Sequence, residues 1–216
     1  MNFERTSASK IAVNLPGATA VFFSHNINFC SQNQEPLGVA MQNRSADAER
    51  IYAELNNIID RQEYIQEFDT WPKQQIIEYI FTRFHDVHRQ QLPELIRLAE
   101  RVETTHVDNK YCPVGLSQHL VQVQNELEEH MQKEENVLFP MLAQEHLSLP
   151  AGPIQVMKRE HDDHLSLIST IFEITNDIQL HPDACNSWKA LYLGLQAFIN
   201  DIYMHIFIEN NVLFVR

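Results

Sequence analysis

Glycine is scarce in this chain, five residues in 216, and long segments carry no turn signal. That scarcity disfavours architectures built from many short strands and leans towards an all-α protein. Cysteine is scarcer still. Cys30, Cys112 and Cys185 are odd in number and far apart, so they make neither a disulfide framework nor a Cys-x-x-Cys metal site. Positive charge is short as well: 16 Lys and Arg stand against 29 Asp and Glu, a formal charge of −13. An acidic surface repels phosphate backbones and anionic lipid, which argues against nucleic acid and membrane as partners. No run approaches the roughly 18 apolar residues of a membrane span. Acids and a lysine interrupt the opening MNFERTSASKIAVNLPGATAVFF, so it has no signal-peptide core. A reducing cytoplasm is the default compartment.

Hydrophobic residues make up 44% of the chain, as in a globular protein, and 216 residues are enough for one good-sized core, or for one core plus a small attached unit. Residues 1–66 read as a small N-terminal helical domain. Its short helices are separated by breakers at Pro16-Gly17 and Pro36-Leu37-Gly38, with a further helix over Ala46 to Ile59. Ser45 is the candidate N-cap of that helix, and Asp47 and Glu49 lie in its first turn. Arg61 to Pro72 reads as a linker. Residues 67–216 then hold four long amphipathic segments, at about 73–102, 114–144, 153–177 and 183–215. Pro72, Pro113, Pro153 and Pro182 each stand near a segment start, where a missing N–H costs nothing. Four such helices with short loops make an up-down bundle.

The apolar stripes of this bundle contain residues that do not belong in a core. In the second helix the stripe is Leu116, Leu120, Val123 and Leu127, resuming at Val137 and Met141; His130 and Glu134 take the slots between. In the fourth it runs Trp188, Leu191, Leu195, Phe198, Ile202, then His205, Glu209 and Val212. Residues at i and i+4 stack on one face, so each His–Glu pair points the same way. The first helix carries Ile77, Phe81, His85, His88, Leu92 and Leu95 in one stripe; the third carries Ile154, Met157, His161, Leu165 and Ile168.

The two halves also repeat. FHDVHRQQL parallels EHDDHLSLI, and HMQKEENVLFP parallels HIFIENNVLFV. Docking the two helix pairs gives a pseudo-two-fold set of four His and two Glu. A buried carboxylate must be paired, protonated or bound to metal, and no Lys or Arg shares these stripes. The set suits two metals, with two carboxylates bridging and two imidazoles completing each ion's shell; non-haem iron fits best, manganese or zinc less well. The competing account is a structural hydrogen-bond network. A single His-x-x-x-Glu is commonly a surface pair, but two in seam positions favour metal.

His88 and His164 read as core-edge histidines, with a supporting or substitute ligand role as the alternative. His25, His106, His119, His146 and His181 read as surface residues. Glu126 and Glu160 could guide iron or protons to the site, or be ordinary surface acids. Cys30, without a charged neighbour, reads as an inert thiol sooner than a redox group.

These residues resemble the hemerythrin-like superfamily and, more closely, the bacterial di-iron proteins that repair iron–sulfur centres. FHDVHRQQLPEL, EEHMQKEENVLFPM, GPIQVMKREHD and HIFIENNVLF look like that family's signature segments, and LPGATAVFFSHNINFC looks like its small N-terminal domain. The resemblance covers nearly the whole chain. It implies His85, His130, Glu134, His161, His205 and Glu209 as ligands of two non-haem iron ions, with an oxo bridge compatible with the set and Glu134 and Glu209 bridging.

The resemblance further implies a cytoplasmic protein of the nitrosative and oxidative stress response that supplies iron to proteins with damaged iron–sulfur clusters. Nitric oxide or oxygen would be its small ligands, and a homodimer through the N-terminal domains is compatible. Two departures stand out. The family's adjacent cysteines read Cys30-Ser31 here. The second histidine that oxygen carriers place on the third helix is Leu165, which argues for an open, labile iron. The alternatives are nitric oxide reduction at the di-iron site, for which no flavin motif is visible, and oxygen or nitric oxide sensing, for which no output domain is visible.

Overall fold

Helices dominate the computed structural model, which describes residues 2–15, 18–30, 35–42, 48–61, 68–144 and 149–216. Pro16-Gly17, Ser31, Ser45, Asp47, His146 and the 66/67 boundary lie outside the described residues. Contacts divide the chain into two compact units: 1–72 together with 203–216, and 73–202.

The first unit starts with α1 (Ala8–Asn14), α2 (Ala18–Ser24), α3 (Leu37–Gln42) and α4 (Ala48–Arg61). Ser7 caps α1 by accepting from the Lys10 N–H. Pro36 stands directly before α3, so the proline expected to break the chain also opens a helix. The core of this unit holds Ile11, Phe22, Phe29, Leu37, Ile51 and Leu55, all essentially inaccessible. Phe29 anchors an aromatic cluster with Phe22, Phe23, Tyr203 and Phe207, at centroid distances of 5.2 to 6.1 Å. The C-terminal Arg216 guanidinium donates to the carbonyls of Trp71 and Phe68.

The second unit is built from four long helices. The first, α5, spans 73–105; α6 spans 116–142; α7 is Ala151–Thr175; and α8, Asn186–Leu213, runs on past residue 202. Gly115, at φ +90°, makes the reversal just before α6 that a β-carbon would strain. The Ser117 N–H and hydroxyl then donate to the two oxygens of Glu103, at 2.7 and 3.0 Å, satisfying donors of the first turn. Asn176, at φ +50°, ends α7 in the left-handed conformation that asparagine tolerates. Trp188, Leu191, Leu195 and Phe198 of α8 are wholly buried, each contributing about 1.5–3 kcal/mol of burial. By length and mean hydropathy of 1.2, α8 could cross a membrane, but 56% of its apolar window is buried inside the protein. That departs from the expectation that no stretch would approach a span, and it reflects a helix that is apolar on most of its faces.

Three of the four long helices contain one π-turn, closed by a hydrogen bond five residues back instead of four. They lie at Phe81–His85 in α5, Glu134–Leu138 in α6 and Glu209–Leu213 in α8. The Asp86, Phe139 and Phe214 N–H groups donate to the carbonyls of Phe81, Glu134 and Glu209. Each turn inserts one extra residue and rotates the remainder of its helix by about 100°. The expected stripes fail at these turns. Phe81, Val137 and Met141 are 39%, 52% and 37% exposed, and Val212 is only half-buried. Phe84, Leu138, Leu142 and Leu213 are buried instead. In α7, which is regular throughout, Ile154, Met157, His161, Leu165 and Ile168 are all buried as expected.

Candidate metal centre

Each helical motif delivers its candidate ligands to the interior. His85, His130, His161 and His205 are at most 1% exposed, and Glu134 and Glu209 are fully buried. Their donor atoms fall into two groups. His85, His205, Glu134 and Glu209 each offer one atom within 4.8 Å of the others; so do His130, His161, Glu134 and Glu209. Both carboxylates belong to both groups, while each histidine belongs to one.

The contacts of Glu134 show how it is shared. Its Oε2 lies 3.4 Å from His85 Nε2, and its Oε1 lies 3.4 Å from His130 Nε2. One carboxylate therefore turns a separate oxygen towards each histidine. On α8, Glu209 Oε1 lies 3.2 Å from His205 Nε2, as the four-residue spacing requires. His130 Nε2 and His161 Nε2 face one another at 3.2 Å, with ring centroids 4.9 Å apart.

Carboxylates outside the cluster hold two of these rings. His85 Nδ1 donates to Glu135 Oε1 at 2.7 Å, and His130 Nδ1 donates to Glu160 Oε2 at 2.9 Å. A proton held on Nδ1 leaves the Nε2 lone pair pointing inward, the tautomer a metal ligand needs. Each outer carboxylate also meets a cation: Arg89 reaches Glu135 at 2.9 Å, and Lys133 reaches Glu160 at 2.8 Å. Burial raises the Glu135 carboxyl, but the hydrogen bonds with His85 and Arg89 outweigh it and hold the group below its ordinary value. The His130 hydrogen bond draws Glu160 down against burial; Lys133 adds to it, and the value falls to about 2. Both stay ionised at neutral pH, as Nδ1–H acceptors must.

Glu160 thus sits at the cluster, whereas Glu126 accepts from the Gln122 side chain at 2.8 Å. Glu135, Arg89 and Lys133 were not legible as site residues; the Glu134-Glu135 doublet was the one visible signal. His88 and His164 are buried, as core-edge residues should be. His88 Nδ1 meets the Gln91 side-chain oxygen at 3.4 Å, and the ring of His164 packs edge-on against that of His130. Among the histidines expected at the surface, His25 meets Glu54 and His119 Nε2 donates to the Leu167 carbonyl. His25, His106, His119 and His181 are all half-buried, a correction to their surface assignment, and the rings of His106 and His181 have aromatic partners. Cys30 is buried and donates to the Tyr203 carbonyl at 2.8 Å. Burial pushes its thiol well above the ordinary value, in keeping with an inert group.

The donor set suits metal binding: four buried imidazoles, two of them held by outer carboxylates, and two acids common to both groups. Comparison with known proteins points the same way. A family model for the hemerythrin HHE cation binding domain matches residues 77–216, and one for a domain of unknown function, DUF542 or ScdA_N, matches residues 5–59. Over all 216 residues the chain is 40% identical to the iron-sulfur cluster repair protein YtfE of Citrobacter koseri and 38% identical to that of Dickeya chrysanthemi, covering 98% of each. It is 39% identical to a probable iron-sulfur cluster repair protein of Haemophilus influenzae, again covering 98% of that protein.

Proposed function

The chain belongs to the hemerythrin-like family of iron–sulfur cluster repair proteins, and from that membership we propose that it repairs damaged iron–sulfur clusters by supplying iron from a di-iron centre. His85 and His205 hold one iron, and His130 and His161 hold the other. Glu134 and Glu209 bridge them. The observation that carries this reading is the division of Glu134, with one oxygen towards His85 and the other towards His130. A carboxylate serving one ion, or a simple ion pair, has no need of that arrangement.

When bound, the irons supply redox-active, Lewis-acidic metal with coordination positions left for small ligands such as nitric oxide or oxygen. The protein's own part is to hold the ligands and to limit their number. Glu135 and Glu160 keep His85 and His130 in the right tautomer. Leu165, one turn beyond His161 and buried, gives α7 an apolar side chain where a further imidazole would tighten the grip. Fewer protein ligands make iron easier to give up, which suits a donor. The clients are proteins with damaged clusters, in the bacterial cytoplasm under nitrosative or oxidative stress. The three cysteines, all free thiols, agree with a reducing compartment.

The test is to purify the protein and its Glu134→Leu, Glu209→Leu double variant, then measure iron content and the Mössbauer spectrum. A coupled two-iron centre in the parent that is lost in the variant is the expected result. It leads directly to a transfer assay with a damaged [4Fe–4S] enzyme. Protein that takes up no iron under anaerobic loading, or binds only zinc, overturns the reading in favour of a structural histidine network.

A further inference from the structure

Where α5 ends and α8 begins, a second chemical pair comes together from residues 79 positions apart. Cys185 Sγ lies 3.1 Å from His106 Nε2. Cys185 stands at the N-cap of α8: the Lys189 N–H donates to its carbonyl at 3.0 Å, and the backbone N–H groups of Ser187 and Trp188 reach its sulfur. Helix N-termini favour negative charge. His106 is the C-cap of α5, and its ring packs on the wholly buried Trp188 with centroids 5.1 Å apart. The imidazole is thereby held against the thiol. None of these groups belongs to the metal-ligand set.

A cleft opens beside the pair. It has a volume of about 560 Å³, and His106, Lys110, Tyr111, His181 and Asp183 are among its lining residues. Tyr111 stacks on His181 at 4.4 Å, and the Lys110 ammonium lies 4.6 Å over the Tyr111 ring. The cleft therefore offers a cation, the carboxylates of Asp108 and Asp183 and a flat aromatic wall, and it is lined by His106, the imidazole that meets the half-buried Cys185. Cys112 is a built-in contrast: its thiol faces backbone carbonyls at 3.9 and 4.0 Å, and burial raises it. The Cys185 thiol is lowered, first by His106.

We propose that Cys185 is a thiol–disulfide exchange site, with His106 as its proton acceptor, that takes a small amino-acid-like disulfide seated in this cleft. Lys110 meets a carboxylate of that molecule and Asp183 meets its ammonium. The Cys185 proton passes to His106 and the thiolate attacks one sulfur of the disulfide. That S–S bond breaks as a bond to Cys185 Sγ forms, and the departing thiolate takes the proton from His106. The disulfide is the oxidant; the products are the mixed disulfide on Cys185 and one free thiol.

The full-length, iron-loaded protein should be treated with glutathione disulfide, and each cysteine followed by peptide mass mapping. In the parent, Cys185 should be modified on the order of tenfold faster than Cys112 or Cys30. His106→Gln should slow Cys185 by a similar factor and leave Cys112 and the iron content unchanged. Equal rates at Cys185 and Cys112 in the parent, or no modification of Cys185, overturn the proposal without reference to any variant. An unchanged Cys185 rate in His106→Gln overturns the role of the imidazole. None of these readouts depends on the repair activity, so failure here leaves the di-iron reading intact.

Discussion

The first and third bundle helices carry closely related stretches, FHDVHRQQL and EHDDHLSLI, yet they present their buried histidine in different ways. In α5 a π-turn ends on His85. In α7, His161 sits in an unbroken α-helix. Four residues on, the same position is Arg89 in one and Leu165 in the other. Arg89 is half-exposed and bridges Glu128 and Glu135; Leu165 is buried. A π-turn is thus not required to aim a histidine at the centre. What it changes is the packing around the ligand. At each of the three π-turns two consecutive residues are buried together: Phe84 with His85, Leu138 with Phe139, Leu213 with Phe214. Regular helix buries neighbours too where two of its faces are covered, as at His164-Leu165 and Ile171-Phe172 of α7, so what the extra residue changes is the register of the residues beyond it.

Deleting one exposed residue from each kind of helix should separate the two cases. Removal of Asp163 from α7 turns Leu165, Ile168, Ile171 and Phe172 away from the core. At about 1.5–3 kcal/mol for each side chain, the loss is on the order of 6–12 kcal/mol, comparable to the whole stability of a domain. Removal of Asn136 from the α6 π-turn instead brings Leu138, Phe139 and Leu142 into ordinary helical register with Glu134. It should cost only on the order of 1–2 kcal/mol. Chemical denaturation of both proteins checks this, and equal losses would mean that the π-turns do not set the register.

The next effect concerns the outer carboxylates. Glu135→Gln and Glu160→Gln keep the shape but weaken the hold on the His85 and His130 tautomers. Each should lower metal affinity by about 10–100-fold, as read by competition with a chelator. Affinity unmoved in both variants would show that packing alone orients the rings.

The smallest effect tests Arg89 against its counterpart Leu165. The hydrogen bond from Arg89 holds the Glu128 carboxyl below its ordinary value of 4.5, against a smaller opposing effect of burial. A depressed carboxyl contributes stability that is present above pH 4.5 and is lost as pH falls below it. Both side chains are about a third exposed, so water screens the pair and the contribution stays below about 1 kcal/mol. Glu128→Gln should flatten the stability profile between neutrality and acid by that amount. An unchanged profile would leave the pair without a measurable role.

How much is legible in the sequence depends on whether a feature is local. Four histidines and two glutamates stand out because a four-residue spacing is a property of a single helix, and because the motif occurs twice. In α6 and α8 the stripes hold up to the π-turn and run one residue out of phase beyond it; in α5 only Phe81 misses, and His88, Leu92 and Leu95 are buried as expected. Nothing in Glu-Asn-x-Val-Leu-Phe announces the extra residue, since Val137 and Leu138 are equally apolar and only their neighbours decide which is buried. His106 reads as a surface residue because its partner lies 79 residues away.

By itself, then, the amino-acid sequence determined the helices, the histidines and glutamates that are buried in them and the family, all of which rest on short-range periodicity and on repeated segments. Only the tertiary structure decided that Glu134 turns one oxygen to each of two histidines, that Glu135 and Glu160 reach across from neighbouring helices to hold the His85 and His130 rings, and that Cys185 meets His106. Those relations join side chains from different helices, and which of them meet depends on how the helices pack and on the rotation that each π-turn adds.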